Sequence, residues 1–211
     1  MLLSTVIAMP SSTSSLQRAR LFKSAYLEKL TLMSPRTFVA SWSLLLPTIA
    51  WAGWGFAGAW QGAGLVMAGL LVWTLFEYAM HRYPFHFTTQ QPVLRRLVFL
   101  THGNHHENPN DPLRNLMPLL VSLPVSAVAW ASSLALLGSA GTWLFLGWMT
   151  GYVIYDLLHY ACHQWPMSGR LGIALKRHHM RHHHFDETGN FAISAIFWDR
   201  VFGTRISSLK R

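Results

Sequence analysis

The chain has few charged residues and a single cysteine. Only 12% of its 211 residues are Asp, Glu, Lys or Arg, about half the share of a typical soluble domain. One Cys excludes an intramolecular disulfide framework, and the 51% hydrophobic content excludes an intrinsically disordered chain. Among the charged residues, acids are the fewer, with 8 Asp and Glu against 17 Lys and Arg. A basic balance of this kind fits nucleic acid or a membrane surface, and the placement of the charges decides between them.

Two long windows, residues 37–76 and 115–155, contain no Asp, Glu, Lys, Arg or His. They are 40 and 41 residues long, so each would measure about 60 Å as a helix, twice the roughly 30 Å of a bilayer core. Each window therefore predicts a hairpin of two membrane helices around a glycine-containing turn. A large soluble helical bundle is the alternative. It is disfavoured because an uncharged run of this length occurs twice in the chain. The predicted membrane helices are 38–57, 62–80, 117–137 and 142–160.

The charged residues all fall between these hairpins or outside them. Residues 1–36, 77–114 and 156–211 hold 5, 4 and 8 of the 17 Lys and Arg. The positive-inside rule then places these three segments, including both termini, in the cytoplasm. This topology predicts a multi-pass protein of a bacterial inner membrane or the endoplasmic reticulum, and it explains the basic charge without a nucleic-acid partner.

The chain divides into two predicted parts. Residues 37–211 form a single membrane-embedded domain, preceded by a basic segment, residues 1–36. Within that segment, residues 16–32 mix Arg and Lys with Leu and Tyr. This composition fits an interfacial amphipathic helix or a disordered tail, and the sequence does not separate the two.

The 12 histidines all lie in the predicted cytoplasmic segments, in four clusters. Residues three and four apart share a helix face, and Pro84 should bend the chain so that the first cluster converges as well. Neutral imidazole is a ligand for Fe, Zn, Cu and Ni, and roughly eight to ten convergent rings suit two ions. His178 and His184 are extra to this count. The clusters are His81-x4-His86, His102-x2-His105-His106, His159-x3-His163 and His178-His179-x2-His182-His183-His184.

Two acids precede a histidine by one helical turn. Glu77 is four residues before His81, and Asp156 is three before His159. Each carboxylate could accept the outer ring N–H of its histidine and fix the tautomer. The alternative is that each acid balances a nearby arginine. For Asp156 the contact with the histidine ring is favoured, because an unpaired carboxylate at the end of a membrane helix is energetically costly.

These residues resemble the fatty acid hydroxylase superfamily of membrane histidine-box oxygenases, which also contains sterol desaturases. The likeness is greatest to fatty acid 2-hydroxylases and covers about residues 62–205. The matching stretches are Glu77-Tyr78-x2-His81-Arg82-x2-Phe85-His86, His102-Gly103-x-His105-His106-x2-Pro109-x-Asp111, Tyr155-Asp156-x2-His159-Tyr160-x2-His163, His178-His179-x2-His182-His183 and the closing Asn190-Phe191-x2-Ser194-x3-Trp198-Asp199-x-Val201-Phe202-Gly203-Thr204.

The resemblance implies an all-α integral membrane fold, with a cytoplasmic helical cap on four membrane helices. It also implies two metal ions, with iron expected, zinc compatible with an isolated protein, and O2 as cosubstrate. No catalytic side chain beyond the metal ligands is expected. The implied ligands are His81, His86, His102, His105, His106, His159, His163, His179, His182 and His183.

The implied activity is hydroxylation of a lipid acyl chain, a fatty acid or a sphingolipid acyl group, at C2 in the most similar branch. A separate electron-donor protein, cytochrome b5-like or a ferredoxin, is expected, since residues 1–36 are too short for a cytochrome b5 domain. A sterol desaturase or methyl oxidase and a carotenoid hydroxylase are the alternatives within the superfamily. A non-catalytic metal transporter or sensor is disfavoured, because transporters usually carry ionisable residues in mid-membrane.

Overall fold

A computed structural model describes residues 20–206, and the regular secondary structure in this range is helical. Two π-helical turns, His81–Phe85 and Phe99–Gly103, and one 3₁₀ turn, Gly138–Ala140, interrupt the α-helices. The α-helices in chain order are α1 (Ala25–Leu30), α2 (Pro35–Ala52), α3 (Ala59–Met80), α4 (Pro92–Val98), α5 (Asn104–Glu107), α6 (Leu119–Leu137), α7 (Gly141–Gln164), α8 (Gly169–His184) and α9 (Trp198–Val201).

The four long helices predicted from the uncharged windows are present as α2, α3, α6 and α7. The largest difference is at α2, which ends at Ala52 rather than at residue 57. Gly55 follows with φ +83°, a conformation outside the right-handed helical region that glycine adopts readily, so the helix cannot continue through it to residue 57. The start of α2 is fixed by Ser34, whose side chain accepts from Thr37 N, and by Pro35 in the first helical position.

The described part of the N-terminal segment, residues 20–36, is helical only in part. The six-residue helix α1 lies within the predicted interfacial helix at 16–32, of which residues 16–19 lie outside the described range. Ser24 caps α1, and the Glu28 carboxylate accepts from the backbone N–H groups of Leu21 and Phe22. Glu28 also forms an ion pair with Arg114, which holds the N-terminal segment against the loop before α6.

Two helical stretches of the described chain are long and apolar enough to cross a membrane. Ala59–Phe85 has 27 residues and contains an 18-residue window with a mean hydropathy of 1.6, and Leu119–Gln164 has 46 residues and contains such a window with a mean hydropathy of 1.8. About a fifth of the residues in each window are buried within the protein. Helix α2 is not among them, since it is shorter and begins with Pro35 and Arg36.

Helices α3 and α7 approach each other at backbone distance. A Cβ added to Gly69 would lie 2.0 Å from the Leu144 carbonyl oxygen, and one added to Gly147 would lie 2.0 Å from that of Val66. Only glycine fits at such a crossing, as at small-residue interfaces between membrane helices. The contact fixes the position of α7 along α3. The ends of both helices, where His81 and His159 lie, are thereby held next to each other.

Candidate metal centre

The first π-helical turn brings His81 and His86 together. These residues are five apart, off-face on a regular α-helix, but a π-helix bonds residue i to residue i+5. The turn His81–Phe85 contains Pro84 and follows α3 directly, and the two imidazole centroids lie 5.2 Å apart. The predicted convergence of His81 and His86 is therefore present. It results from the wider π-helical turn and not from the predicted bend at Pro84.

Ten histidine rings converge into two groups of five, and in each group the potential ligand atoms lie within 4.8 Å of one another. The ten are the residues named from the sequence. The first histidine group is His81, His86, His102, His106 and His182. The second histidine group is His105, His159, His163, His179 and His183.

Two of the clusters are divided between the groups. In the second cluster, His102 and His106 belong to the first histidine group and His105 belongs to the second. In the fourth cluster, His179 and His183 belong to the second histidine group and His182 belongs to the first. In both clusters the i,i+4 pair stays in one group, and the remaining histidine lies in the other group. The helical spacing predicted one shared face for each cluster, and the division between the groups differs from that prediction.

The spacing of the ring nitrogens matches that of metal ligands. Seven Nε2–Nε2 distances between neighbouring rings lie between 2.8 and 3.2 Å. Ligands at right angles around an ion, each about 2.1 Å away, would be about 3.0 Å apart. Either group could therefore hold an ion at ordinary metal–nitrogen distances.

The outer ring nitrogens show which way the inner ones face. His81, His159 and His182 each place Nδ1 against a backbone carbonyl oxygen, at 2.5, 3.1 and 2.8 Å. A carbonyl only accepts, so Nδ1 carries the proton and Nε2 presents a lone pair to its group. The Nε2 atom of His81 is buried and has no hydrogen-bond partner among the described residues. An unsatisfied acceptor in this position is what a metal ion would satisfy, so the donor set fits the cofactor that the resemblance implies.

The predicted pairing of Glu77 with His81 and of Asp156 with His159 is wrong. The carbonyls of Phe191 and Asn115 take the two ring N–H groups instead. Asp156 accepts from Met117 N at 2.8 Å, two residues beyond Asn115, so it positions the carbonyl rather than the ring. Glu77 likewise holds a loop, accepting from the backbone N–H groups of residues 193–195. Because a backbone carbonyl already accepts the Nδ1 proton of each histidine, neither Glu77 nor Asp156 can accept it.

Asp199 is a structural anchor whose role was not predicted from the sequence. This carboxylate is fully buried and accepts from Phe191 N, Ala192 N, Thr204 Oγ1 and His178 Nε2, all between 2.7 and 2.9 Å. It therefore holds the segment whose carbonyl, on Phe191, fixes His81. The signal was its place in the closing stretch that carries the family resemblance, next to Trp198.

The two extra histidines lie outside both groups, as expected from the sequence. His178 is buried and bonds to Asp199, whereas His184 is exposed at the end of α8. The lone thiol, Cys162, is also outside both groups and is buried with its Sγ 3.7 Å from the Met167 sulfur.

Burial keeps these imidazoles neutral. Removal from water, the larger cause, and neighbouring imidazoles together lower the pKa of both His106 and His182 to about 3. The pKa values of His102, His105 and His179 fall well below their usual value of 6.5 for the same reasons. Only the neutral ring binds a metal, so the site is ready to receive a cation at physiological pH.

The metal-free protein is expected to lose stability in acid. A folded-state pKa near 3 for His106 and His182 means that, below pH 6.5, the unfolded chain binds protons that the folded chain does not. Stability is thus constant above about pH 6.5 and falls steadily as the pH drops toward 3. Thermal unfolding of chelator-treated protein at a series of pH values measures this. The exposed His184→Ala variant should behave like the parent, and an unchanged midpoint between neutral and acidic pH would contradict the expectation.

A cavity of about 500 Å³ leads from the histidines into the helical bundle. It touches both groups, at His102 in the first and at His105 and His159 in the second. Its other walls come from α3, α6 and α7 and are mostly apolar, and Leu27 and Leu30 of α1 cover one side. The cavity could thus bring an apolar chain to the point where the two groups meet.

Comparison with known proteins identifies the family. The fatty acid hydroxylase family model matches residues 66–204. The ceramide very long chain fatty acid hydroxylase scs7 of Schizosaccharomyces pombe is 40% identical over 144 residues, 64% of this chain and 40% of that protein. A dihydroceramide fatty acyl 2-hydroxylase of Arabidopsis thaliana is 36% identical over 66% of this chain and 60% of its own length. The human fatty acid 2-hydroxylase is 37% identical over 67% of this chain and 39% of its own length.

The fold agrees with a solved structure as well. The structure of full-length scs7p, in which only the hydroxylase domain is visible, superposes with a TM-score of 0.81 at 29% identity. The superposition covers 88% of this chain and 71% of that one. The chain spans between 39% and 60% of the length of the three curated relatives. With its family model matched over two thirds of its residues, the chain belongs to the fatty acid hydroxylase family.

Proposed function

We propose that the protein is a membrane-bound dinuclear-metal oxygenase that hydroxylates a lipid acyl chain, with O2 as cosubstrate and electrons from outside the chain. One observation carries this proposal: an apolar cavity ends where two five-histidine groups meet. The relatives support the substrate class, since their names describe fatty acid, ceramide and dihydroceramide hydroxylases. Hydroxylation at C2 of a fatty acid or sphingolipid acyl group follows from the same relatives.

The ten histidines would hold one ion in each group, and iron is the proposed metal. A pair of iron ions supplies the reduction of O2 and the cleavage of an unactivated C–H bond, which acid–base side chains cannot achieve. The protein itself holds the rings neutral, orients them through the Phe191, Asn115 and Gly189 carbonyls, and excludes water by burying them. The apolar wall then aligns the chain so that one carbon faces both groups.

The proposed topology has four membrane crossings under a cytoplasmic cap, within a single domain over residues 37–211. Leu119–Gln164 would measure about 69 Å as a continuous helix, more than two crossings, and the turn Gly138–Ala140 divides it. Helices α2 and α3 would form the other hairpin. Large apolar side chains such as Leu44, Leu71 and Leu136 are at least 63% exposed, as expected for lipid contact. The positive-inside rule places the histidines in the cytoplasm.

The electrons would come from a separate cytochrome b5-like protein or a ferredoxin. Basic side chains on the cap, among them Arg177 and Arg200, are exposed and suit an acidic donor.

Expression in a host with defined lipids, followed by untargeted lipid mass spectrometry, tests the function. The protein loaded with Fe(II) and supplied with a reductant and O2 should yield acyl chains heavier by one oxygen. The zinc-loaded protein should be folded but inactive, since zinc has no redox chemistry. Equal turnover by the zinc form would exclude the mechanism. A hydroxylated sterol or carotenoid in place of an acyl product would move the protein to another branch of the superfamily.

A further inference from the structure

A second apolar pocket, here called the distal groove, lies between α3, α6 and α7 on the side away from the histidines. Its volume is about 570 Å³. Its lining residues are apolar or glycine, apart from Ser132 and Ser133, whose hydroxyls bond to carbonyl oxygens one turn earlier in α6. The groove therefore presents almost no unsatisfied polar group. It suits a hydrocarbon ligand and offers nothing to a polar one.

The distal groove and the cavity at the histidines share three wall residues, Phe76, Val125 and Trp148. Phe76 and Trp148 pack edge to face, with ring centroids 5.2 Å apart. These three side chains thus form a shared wall, here called the constriction, between two adjacent apolar spaces. A chain that passes the constriction would follow one path from the histidines into the bilayer region.

The dimensions of this path indicate its occupant. Phe76 is five residues before His81 on a continuous helical stretch, so the constriction begins about 8 Å from the first histidine group. Beyond it, the groove follows α6 from Val125 to Leu136, roughly 16 Å further. The total exceeds the ~15 Å depth of one leaflet's hydrocarbon. Only a chain longer than that depth would reach the far end.

We infer that the distal groove binds the terminal part of the substrate's own acyl chain, and that Phe76, Val125 and Trp148 set which chain lengths enter it. This inference rests on the proposed function. Short acyl chains would end before the constriction and gain nothing from the groove. Very long chains would pass it and bury additional methylene groups, so the groove would favour them.

Filling the groove tests the inference. Ser132 is exposed on the groove wall, and Ser132→Trp should block the far end without touching the histidines. Ala131→Trp is the matched control, since Ala131 is exposed on the same turn but does not line the groove. Val128→Trp with Ala127→Trp is a second pair in the same helix, in case the first variant folds poorly.

The readout is competition between a short and a very long acyl substrate in equal amounts, followed by mass spectrometry. Ser132→Trp should lower the ratio of long to short product at least about ten-fold, because a few methylenes lose their burial. Turnover of the short chain should stay within about two-fold, and Ala131→Trp should leave the ratio unchanged. An unaltered ratio in both filled variants would overturn the inference.

A binding measurement separates this inference from the proposed function. A very long acyl lipid with a photoactivatable group at its terminal carbon should label residues 124–136 in the wild type, and Ser132→Trp should abolish the label. Labelling without any hydroxylation would retain the groove as a site and refute the proposed activity. Normal hydroxylation without groove labelling would show that bulk bilayer lipid fills the groove, and the inference would fail.

Discussion

Replacement of His105 by Ala is expected to lower the bound metal from two ions per chain to one or fewer and to abolish lipid hydroxylation. The His105 ring lies in the second histidine group, with its Nε2 2.9 Å from that of His159 and 3.0 Å from that of His183. It also lines the cavity. Loss of groups that merely orient a ligand typically costs 10–100-fold in affinity or activity. Loss of the ligand itself should therefore exceed about 100-fold.

Metal analysis of the purified protein and lipid mass spectrometry measure the two effects side by side. His184→Ala is the matched control, because His184 is exposed on the same helix as three proposed ligands but lies outside both groups. This control should keep both ions and full turnover. Retention of two ions and normal turnover by His105→Ala would remove His105 from the proposed ligand set.

Replacement of Asp199 by Ala should destabilise the protein by about 3–5 kcal/mol, as expected when a buried charged partner is removed. The carboxylate is fully buried and accepts four hydrogen bonds, two of them from the backbone at Phe191 and Ala192. The variant leaves these donors unsatisfied. It also releases the Phe191 carbonyl that holds His81, so metal retention in the first histidine group should weaken too.

Thermal unfolding in detergent and metal content report on the two consequences of Asp199→Ala. Asp186→Ala serves as the comparison, because Asp186 is exposed and its carboxylate serves a local turn at Thr188. The comparison variant should unfold within about 0.5 kcal/mol of the parent. An Asp199→Ala protein as stable as the parent, with full metal, would show that the 190–195 segment holds its shape without this anchor.

Much of the fold and of the site follows from local sequence patterns. Uncharged windows and their glycine-containing turns place α2, α3, α6 and α7 to within about five residues. The spacing of the four clusters predicts that the histidines converge, and the family resemblance implies the ten whose nitrogens do so. Both properties depend on neighbours in sequence, because charge exclusion and i,i+4 chelation act within one element. The four crossings, the ligand roles and the domain limits stay predictions.

Long-range contacts account for what the sequence did not reveal. Glu77 and Asp156 appear beside a histidine in sequence, yet they bond to residues 193–195 and to Met117. The carbonyl partners of His81 and His159 are backbone groups, which no residue type identifies. Asp199 reaches His178 from 21 residues away. Such pairings are decided by how the loops close over the helix ends, a property of the assembled fold.

The division of two histidine clusters between the groups links the two proposed ion positions, because the same segments contribute to both. The turn that carries His102, His105 and His106 belongs to both, and so does the last turn of α8. Neither coordination sphere can be assembled without ordering two segments that also build the other. With one ion in each group, the proposed pair would therefore fold as one unit, because the same two segments supply ligands to both groups. A substrate carbon that enters between the groups would meet two halves that share these segments.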